Sequence, residues 1–371
     1  MNAIPLGAFH VSRVLALSCV ITLEPAAFGG FAEDWARMKM IPPETYVCVR
    51  ATAPIKVDGV MTEAEWEKTS WTRDFRDIEG DAKPVPRFRT RAKMLWDDNY
   101  FYVAAQLEEP HVWGTITNHD AVIFQDNDFE VFIDPNGDNH EYCEFEMNAL
   151  NTGWDLFLTK PYIDGGPAQN EWEIPGLNTA VHVKGTINNP ADQDGGWTIE
   201  IAFPWKVLAQ YAHRAAPPRD GDQWRVNFSR VEWQTRIVES RYEKVPNTHE
   251  DNWVWSPQGI VDMHRPEQWG YVQFTKKPLE QAAFVPDPSA RARRVLREIY
   301  YAQKDFEKAN HRWAATLSEL GIGPDIMAGL AAPPRLRLTR EGFECSASTQ
   351  PPEGKSLKCL IWQDGKVVVS E

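Results

Sequence analysis

The sequence predicts a mainly β fold, an antiparallel jelly-roll β-sandwich with a C-terminal helix and a small β element. Short runs of alternating apolar and polar residues recur between residues 45 and 277, with Gly-, Pro-, Asn- and Asp-rich turns between them. Trp occurs 16 times in 371 residues, an abundance that suits β-rich cores and leaves rings for ligand contact. Beyond Asp287 the apolar spacing changes to steps of three and four, the period of a helix.

The elements follow in chain order. Arg13 precedes an apolar run, Val14–Leu23, followed by the small residues Ala26, Ala27, Gly29 and Gly30, so residues 1–30 are expected to be a signal peptide. The run is too short to cross a bilayer, and too few apolar residues precede Cys19 for a lipid anchor. Residues 31–44 read as a linker ending at Pro42 and Pro43. Thr45–Thr52 reads as a strand. Thr62 with Glu65 forms a capping-box pattern, which predicts a helix over 62–68 with Trp66 inward. Phe88–Trp96 and Tyr100–Leu107 alternate around the turn Asp97-Asp98-Asn99. After a central hairpin come strands at 154–159, 181–187, 197–203, 224–233 and 269–275, with a short helix after Pro204 and a Trp-rich looped region up to Pro266.

Residues 278–325 read as a helical segment. Val295, Ile299, Ala302, Phe306, Ala309 and Trp313 form one stripe, expected to dock on the sandwich and to end before Gly321 and Gly323. Residues 326–371 read as a small β element closed by a hairpin at Asp364-Gly365.

The central hairpin, 124–151, carries the chemistry. Phe129, Val131 and Ile133 share one face; Asp128, Glu130, Phe132 and Asp134 share the other. On the return strand Cys143, Phe145 and Met147 oppose Tyr142, Glu144, Glu146 and Asn148. A loop centred on Gly137 predicts the pairs Phe132/Tyr142, Glu130/Glu144 and Asp128/Glu146. Two carboxylates roughly 5 Å apart repel by about 3 kcal/mol at an effective dielectric of about 20. Such a face needs a metal ion, an arginine, raised pKa values or a hydroxyl-rich ligand. Arg230, which shares strand parity with Val226 and Phe228, is the expected countercharge to Glu130 or Glu144. Asp134, Asn136 and Asp138 in the turn are candidate Ca2+ ligands; no other cofactor is indicated.

The net charge of −14, with basic residues scattered, argues against nucleic acid and anionic membrane surfaces as partners. Cys48 and Cys143 read as buried thiols. Cys345 and Cys359 flank the loop around Pro351 and Pro352 and could be joined in an exported protein.

VDGVMTEAEW, AKMLWDDNYFYVAAQLEEP, DNDFEVFIDPNGD, EFEMNAL, GWTIEIAFPWKVL, WRVNFSRVEW and WGYVQF occur in the order found in family 9 carbohydrate-binding modules. The chain resembles that family from about residue 49 to 277. The resemblance implies a jelly-roll sandwich that binds sugar in a cleft on one sheet, and it brings in glycoside hydrolases as partners and bound calcium. Glu130 and Asn148 look like the family's binding glutamate and asparagine; Glu146 stands where the family has an arginine. Phe124 falls near one family tryptophan. Met263 or His264 falls near the second, with Trp253 and Trp255 a few residues upstream as substitutes.

Three functions fit these residues. The first is binding of a polysaccharide or oligosaccharide by a secreted or periplasmic, non-catalytic module that supports polysaccharide breakdown alongside glycoside hydrolases. Its expected contacts are Phe124, Glu130, Tyr142, Glu144, Glu146, Asn148, Arg230, Trp255 and His264. The second is hydrolysis of O-glycosyl bonds by the pair Glu130/Glu144. The third is a haem-binding electron-transfer domain, although no CxxCH occurs and Met94, Met147, Met263 and His264 lack haem spacing.

Overall fold

The computed structural model describes residues 30–349 and 356–371. The expected signal segment lies outside these residues apart from Gly30, as do Pro351 and Pro352.

The segment expected as a linker begins with a helix, α1 (Phe31–Met38). Its start is fixed from a distance: the Phe31 and Ala32 N–H groups donate to the Asp305 carboxylate. Trp35 stacks on Tyr301 at 5.4 Å between centroids, and Met38 is fully buried. The strands β1 (Thr45–Arg50), β2 (Arg76–Asp77), β3 (Thr90–Trp96) and β4 (Tyr100–Leu107) follow, with α2 reduced to Ala64–Glu67. No capping box forms at α2, because the Glu65 carboxylate instead accepts from the N–H and hydroxyl of Thr52.

Next come β5 (Asp128–Asp134), β6 (Tyr142–Asn148), β7 (Gly153–Leu158), β8 (Ala168–Gln169), β9 (Asn178–Val183) and β10 (Trp197–Pro204). β9 starts three residues earlier than predicted because its pairing with β10 places Val183 opposite Trp197. After α3 (Trp205–Leu208) come β11 (Gln223–Glu232), β12 (Thr235–Val238), β13 (Arg241–Lys244), β14 (Asp251–Val254) and β15 (Gly270–Thr275). The Trp-rich stretch expected as loop thus contains a hairpin, β12–β13, and a strand paired with β11.

The strands from β1 to β15, apart from the β12–β13 hairpin, form one curled sheet. Its main path runs β8-β7-β6-β5-β11-β15-β1-β3-β4-β10-β9. Its inward faces meet in one core that includes Phe129, Phe145, Phe228, Trp255, Met94, Phe101 and Ile201, so the sheet closes on itself as a sandwich. The predicted sandwich is wholly antiparallel; here β1 pairs in parallel with both β15 and β3. No hairpin joins β1 to either neighbour, so nothing forces it to run antiparallel.

The C-terminal part is a second small core. α4 (Ala290–Asn310) and α5 (Pro324–Met327) precede a sheet in the order β16 (Arg335–Leu338), β17 (Phe343–Thr349), β18 (Leu357–Trp362) and β19 (Val367–Ser370). α4 packs on α1, β17 and β18 rather than on the sandwich face. Its buried line is Ala292, Val295, Leu296, Ile299, Tyr300 and Gln303; Ala309 is exposed, and the helix ends at Asn310 with His311 left-handed. Cys345 and Cys359 are free and buried here, lying opposite Ile361 and Ala347 rather than opposite each other.

Candidate functional site

The faces predicted for the central hairpin hold, but its register shifts. Glu130 lies opposite Glu146, Phe132 opposite Glu144, and Asp128 opposite Asn148. The loop is wider than a tight turn: Asp134 accepts from the N–H groups of Gly137 and Asn139, and Asp138 from that of His140. Asn139 and Glu141 take positive φ to complete it. The shift is two residues, an even number, so every side chain keeps its face.

The polar face is covered, not solvated. It floors a cleft of about 300 Å³ between β5, β6, β7 and the loop at 261–264. Glu130, Glu144 and Glu146 line the cleft together with Phe124, Phe132, Trp154, Tyr162 and His264. Glu146 accepts from the Phe124 N–H at 3.0 Å, which ties the aromatic wall to the floor. His264 packs against Tyr162 with centroids 4.4 Å apart, and its Nε2 lies 3.8 Å from Glu144. Tyr142 is buried, with its hydroxyl 2.9 Å from Nδ1 of His264; it positions that ring.

Electrostatics follow from burial. Burial, opposed in part by the facing Ser229 hydroxyl and reinforced by Glu250, pushes Glu130 up to about 7. Burial and the charge of Glu130 raise Glu144 and Glu146 well above the usual carboxylate range, and Asp128 likewise. The four acids influence one another, and burial makes each easier to protonate than a free carboxylate, so the floor can both donate and accept hydrogen bonds. Burial lowers His264 to about 4, which keeps it neutral.

Several predicted site residues lie elsewhere. Arg230 is fully buried, but its NH2 reaches Glu109 at 2.9 Å and Glu232 at 2.7 Å rather than Glu130 or Glu144. Thr90 and the Glu108 carbonyl take its NH1. Trp255 is 1% exposed and packs against Phe228 and Tyr46 in the core, not at the cleft. Asn148 is spent on the fold: its amide donates to Ile116 O and Asp126, and its oxygen accepts from Leu150 and Thr152.

The candidate calcium ligands Asp134, Asn136 and Asp138 lie together in the hairpin loop, where Asn136 donates to Asp138 at 3.1 Å. Their oxygens are taken by loop N–H groups, and Asp138 also faces Lys366 at 3.3 Å. The buried acids whose oxygens do gather within 4.8 Å of one another are Asp128, Glu130 and Glu146, and one oxygen of Asp128 has no partner. Among the described residues a second such group, His119, Asp120 and Asp155, lies at the rim of the sheet.

Tyr162 and Asp262 were missed as cleft residues because they sit in loops with no alternation to read. Trp154 was readable as cleft wall, since it stands opposite Glu146 on β7.

Residues 57–228 match the family described as "Carbohydrate family 9 binding domain-like". Over those residues the chain is similar to this family. The matched residues include β5, β6 and β7, hence Glu130, Glu144, Glu146 and Trp154. A curated relative, Exoglucanase XynX of Acetivibrio thermocellus, is 25% identical over 117 residues, which is 32% of this chain and 9% of that enzyme. A family 9 module from Caldicellulosiruptor kristjanssonii, solved with cellotriose, has 15% identity and a TM-score of 0.41, covering 66% of this chain and all of its own. A putative carbohydrate-binding protein from Bacteroides uniformis has 15% identity and a TM-score of 0.46, covering 62% of this chain and 99% of its own. Among the described residues no helix is long and apolar enough to cross a membrane.

Proposed function

We propose that the cleft above Glu130, Glu144 and Glu146 binds an oligosaccharide or polysaccharide without cleaving it. The observation that carries this reading is the meeting, on family-matched strands, of a proton-sharing carboxylate floor with the rings of Phe124, Trp154, Tyr162 and His264. Rings pack on the apolar faces of sugars, and carboxyl groups that both donate and accept suit hydroxyls. At about 0.3 kcal/mol per heavy atom a disaccharide gains about 7 kcal/mol, a Kd on the order of 10 μM. Such affinity serves a module tethered beside glycoside hydrolases outside the cytoplasm.

Binding is favoured over hydrolysis by the absence of division of labour among the acids. A glycosidase needs one carboxylate held ionised and one held protonated. Here burial pushes every floor acid the same way, and Arg230, the cation that could hold one ionised, is committed to Glu109 and Glu232.

Calorimetric titration against soluble plant and microbial oligosaccharides, with calcium and then with chelator, tests the reading. A micromolar signal for one sugar class that Glu130→Gln abolishes supports it. Binding unchanged in Glu130→Gln, or no binding by folded protein across the panel, rejects it. A loss of signal on chelation would place a cation among Asp128, Glu130 and Glu146.

A further inference from the structure

A second cavity, about 350 Å³, lies where α1, the turn at Pro42-Pro43 and the first turns of α4 meet the end of the sandwich. Most of its wall falls outside the family-matched residues. In a chain of net charge −14, its lining carries Lys39, Arg225, Arg293, Arg294 and Arg297 against one acid, Glu267.

Three of these cations are satisfied within the protein. Lys39 pairs with Glu298 at 2.7 Å. Arg225 donates to the carbonyls of Trp269 and Glu267 and lies flat on Tyr271 at 3.6 Å. Arg293 donates to Gly137 O and Ser289 Oγ and lies 3.4 Å from Asp287.

Arg297 differs. It is 4% exposed, yet it makes no hydrogen bond or ion pair with any described residue. Its guanidinium lies 5.5 Å from the Tyr300 ring, and its charge, ahead of that of Arg265, holds Glu267 below the usual carboxylate range against burial. Glu267 feels this charge but makes no hydrogen bond to it; its two carboxylate oxygens accept from Tyr301 and Asn139. A buried guanidinium without an acceptor is costly. Arg294, one turn earlier on the same helix face, also has no partner among the described residues.

The helix compounds the problem. Arg293, Arg294 and Arg297 stand at i, i+1 and i+4, where like charges repel. They stand in the first three turns of α4, whose first turn carries no acid. A helix selected for stability alone would place carboxylates there. The opposite wall is apolar: Trp35, Ile41, Pro42 and Pro43.

We propose that this pocket binds a small organic carboxylate with an apolar body. Arg297 takes the carboxylate through its planar fork, Arg294 adds charge at the mouth, and the Trp35–Pro43 wall holds the ring or chain. The site is independent of the sugar cleft.

The test uses the full chain with trans-cinnamate, its neutral amide and inorganic phosphate, read by calorimetry and thermal shift. Cinnamate should bind and raise the melting temperature, while the amide should not. Arg297→Met should weaken cinnamate by about ten- to a hundredfold and leave the oligosaccharide titration unchanged. Should Arg297→Met fail to fold, Arg294→Gln at its exposed position should still weaken cinnamate several-fold. Equal binding of the amide, a preference for phosphate over cinnamate, no carboxylate binding by wild type, or full affinity in a folded Arg297→Met protein would each overturn the proposal.

Discussion

Glu130 and Glu146 face each other directly across β5 and β6, both buried and both pushed above the usual carboxylate range. Further acids, Glu250 at Glu130 and Asp128 and Glu144 at Glu146, act on them, and among the described residues no cation pairs with either. The native state therefore favours their protonated forms, whereas the unfolded chain does not.

This sets a pH dependence. Glu130 titrates at about 7 when folded and near its ordinary 4.5 when unfolded. The folded state binds the extra proton between those values, so its contribution to stability is full below 4.5 and is lost as pH rises through 7. Glu130→Gln should match wild type at pH 4 and exceed it at pH 8 by on the order of 3 kcal/mol, as urea unfolding across pH would show. A variant that loses stability at pH 8 would mean that a cation compensates the charge.

His264 acts with the opposite sign. Burial lowers it from 6.5 to about 4, so the unfolded chain binds the extra proton in between. Its contribution is present above 6.5 and is lost as pH falls toward 4. His264→Gln should become relatively more stable on acidification through that window. Oligosaccharide affinity of wild type should show no step from His264 near 6.5, a point checked by titration at several pH values.

Arg230 belongs to stability, not to the cleft. Its removal strands Glu109, already raised to about 8 by burial and by Glu232, together with Glu232 in the interior. Arg230→Met should cost about 3–5 kcal/mol, read as a lower urea midpoint. The sugar affinity of the protein that remains folded should not change.

Two tryptophans separate fold from site. Trp255→Ala removes a ring from the centre of the core and should cost about 3–5 kcal/mol. Trp154 is half-buried at the cleft. Trp154→Ala should lose sugar affinity about tenfold with less effect on melting temperature.

How much of this was legible depended on the range of the signal. The faces of β5 and β6 were readable residue by residue, because alternation is a property of the strand alone. Their register was not, since it is set by a loop in which Asp134 and Asp138 spend their carboxylates on N–H groups. Those same bonds occupy oxygens that the calcium reading counts as ligands. The parity of Arg230 placed it inward, yet its partners come from Glu109, 121 residues away in sequence, and from its own strand. Residues 31–38 looked like a linker because the cap that starts α1 is Asp305.

The sequence by itself determined the strand-rich class, the position of nearly every main strand, the long helix and the acidic, aromatic hairpin that the family match later covered. These rest on local periodicity and turn chemistry, which neighbouring residues carry between them. The tertiary structure decided that β1 lies parallel between β3 and β15, that the acidic face is the buried floor of a cleft, that Trp255 and Asn148 serve the fold, and that Arg297 has no hydrogen-bond acceptor among the described residues. Each of these depends on which distant side chain arrives within hydrogen-bond or contact distance, and no period in the sequence records that.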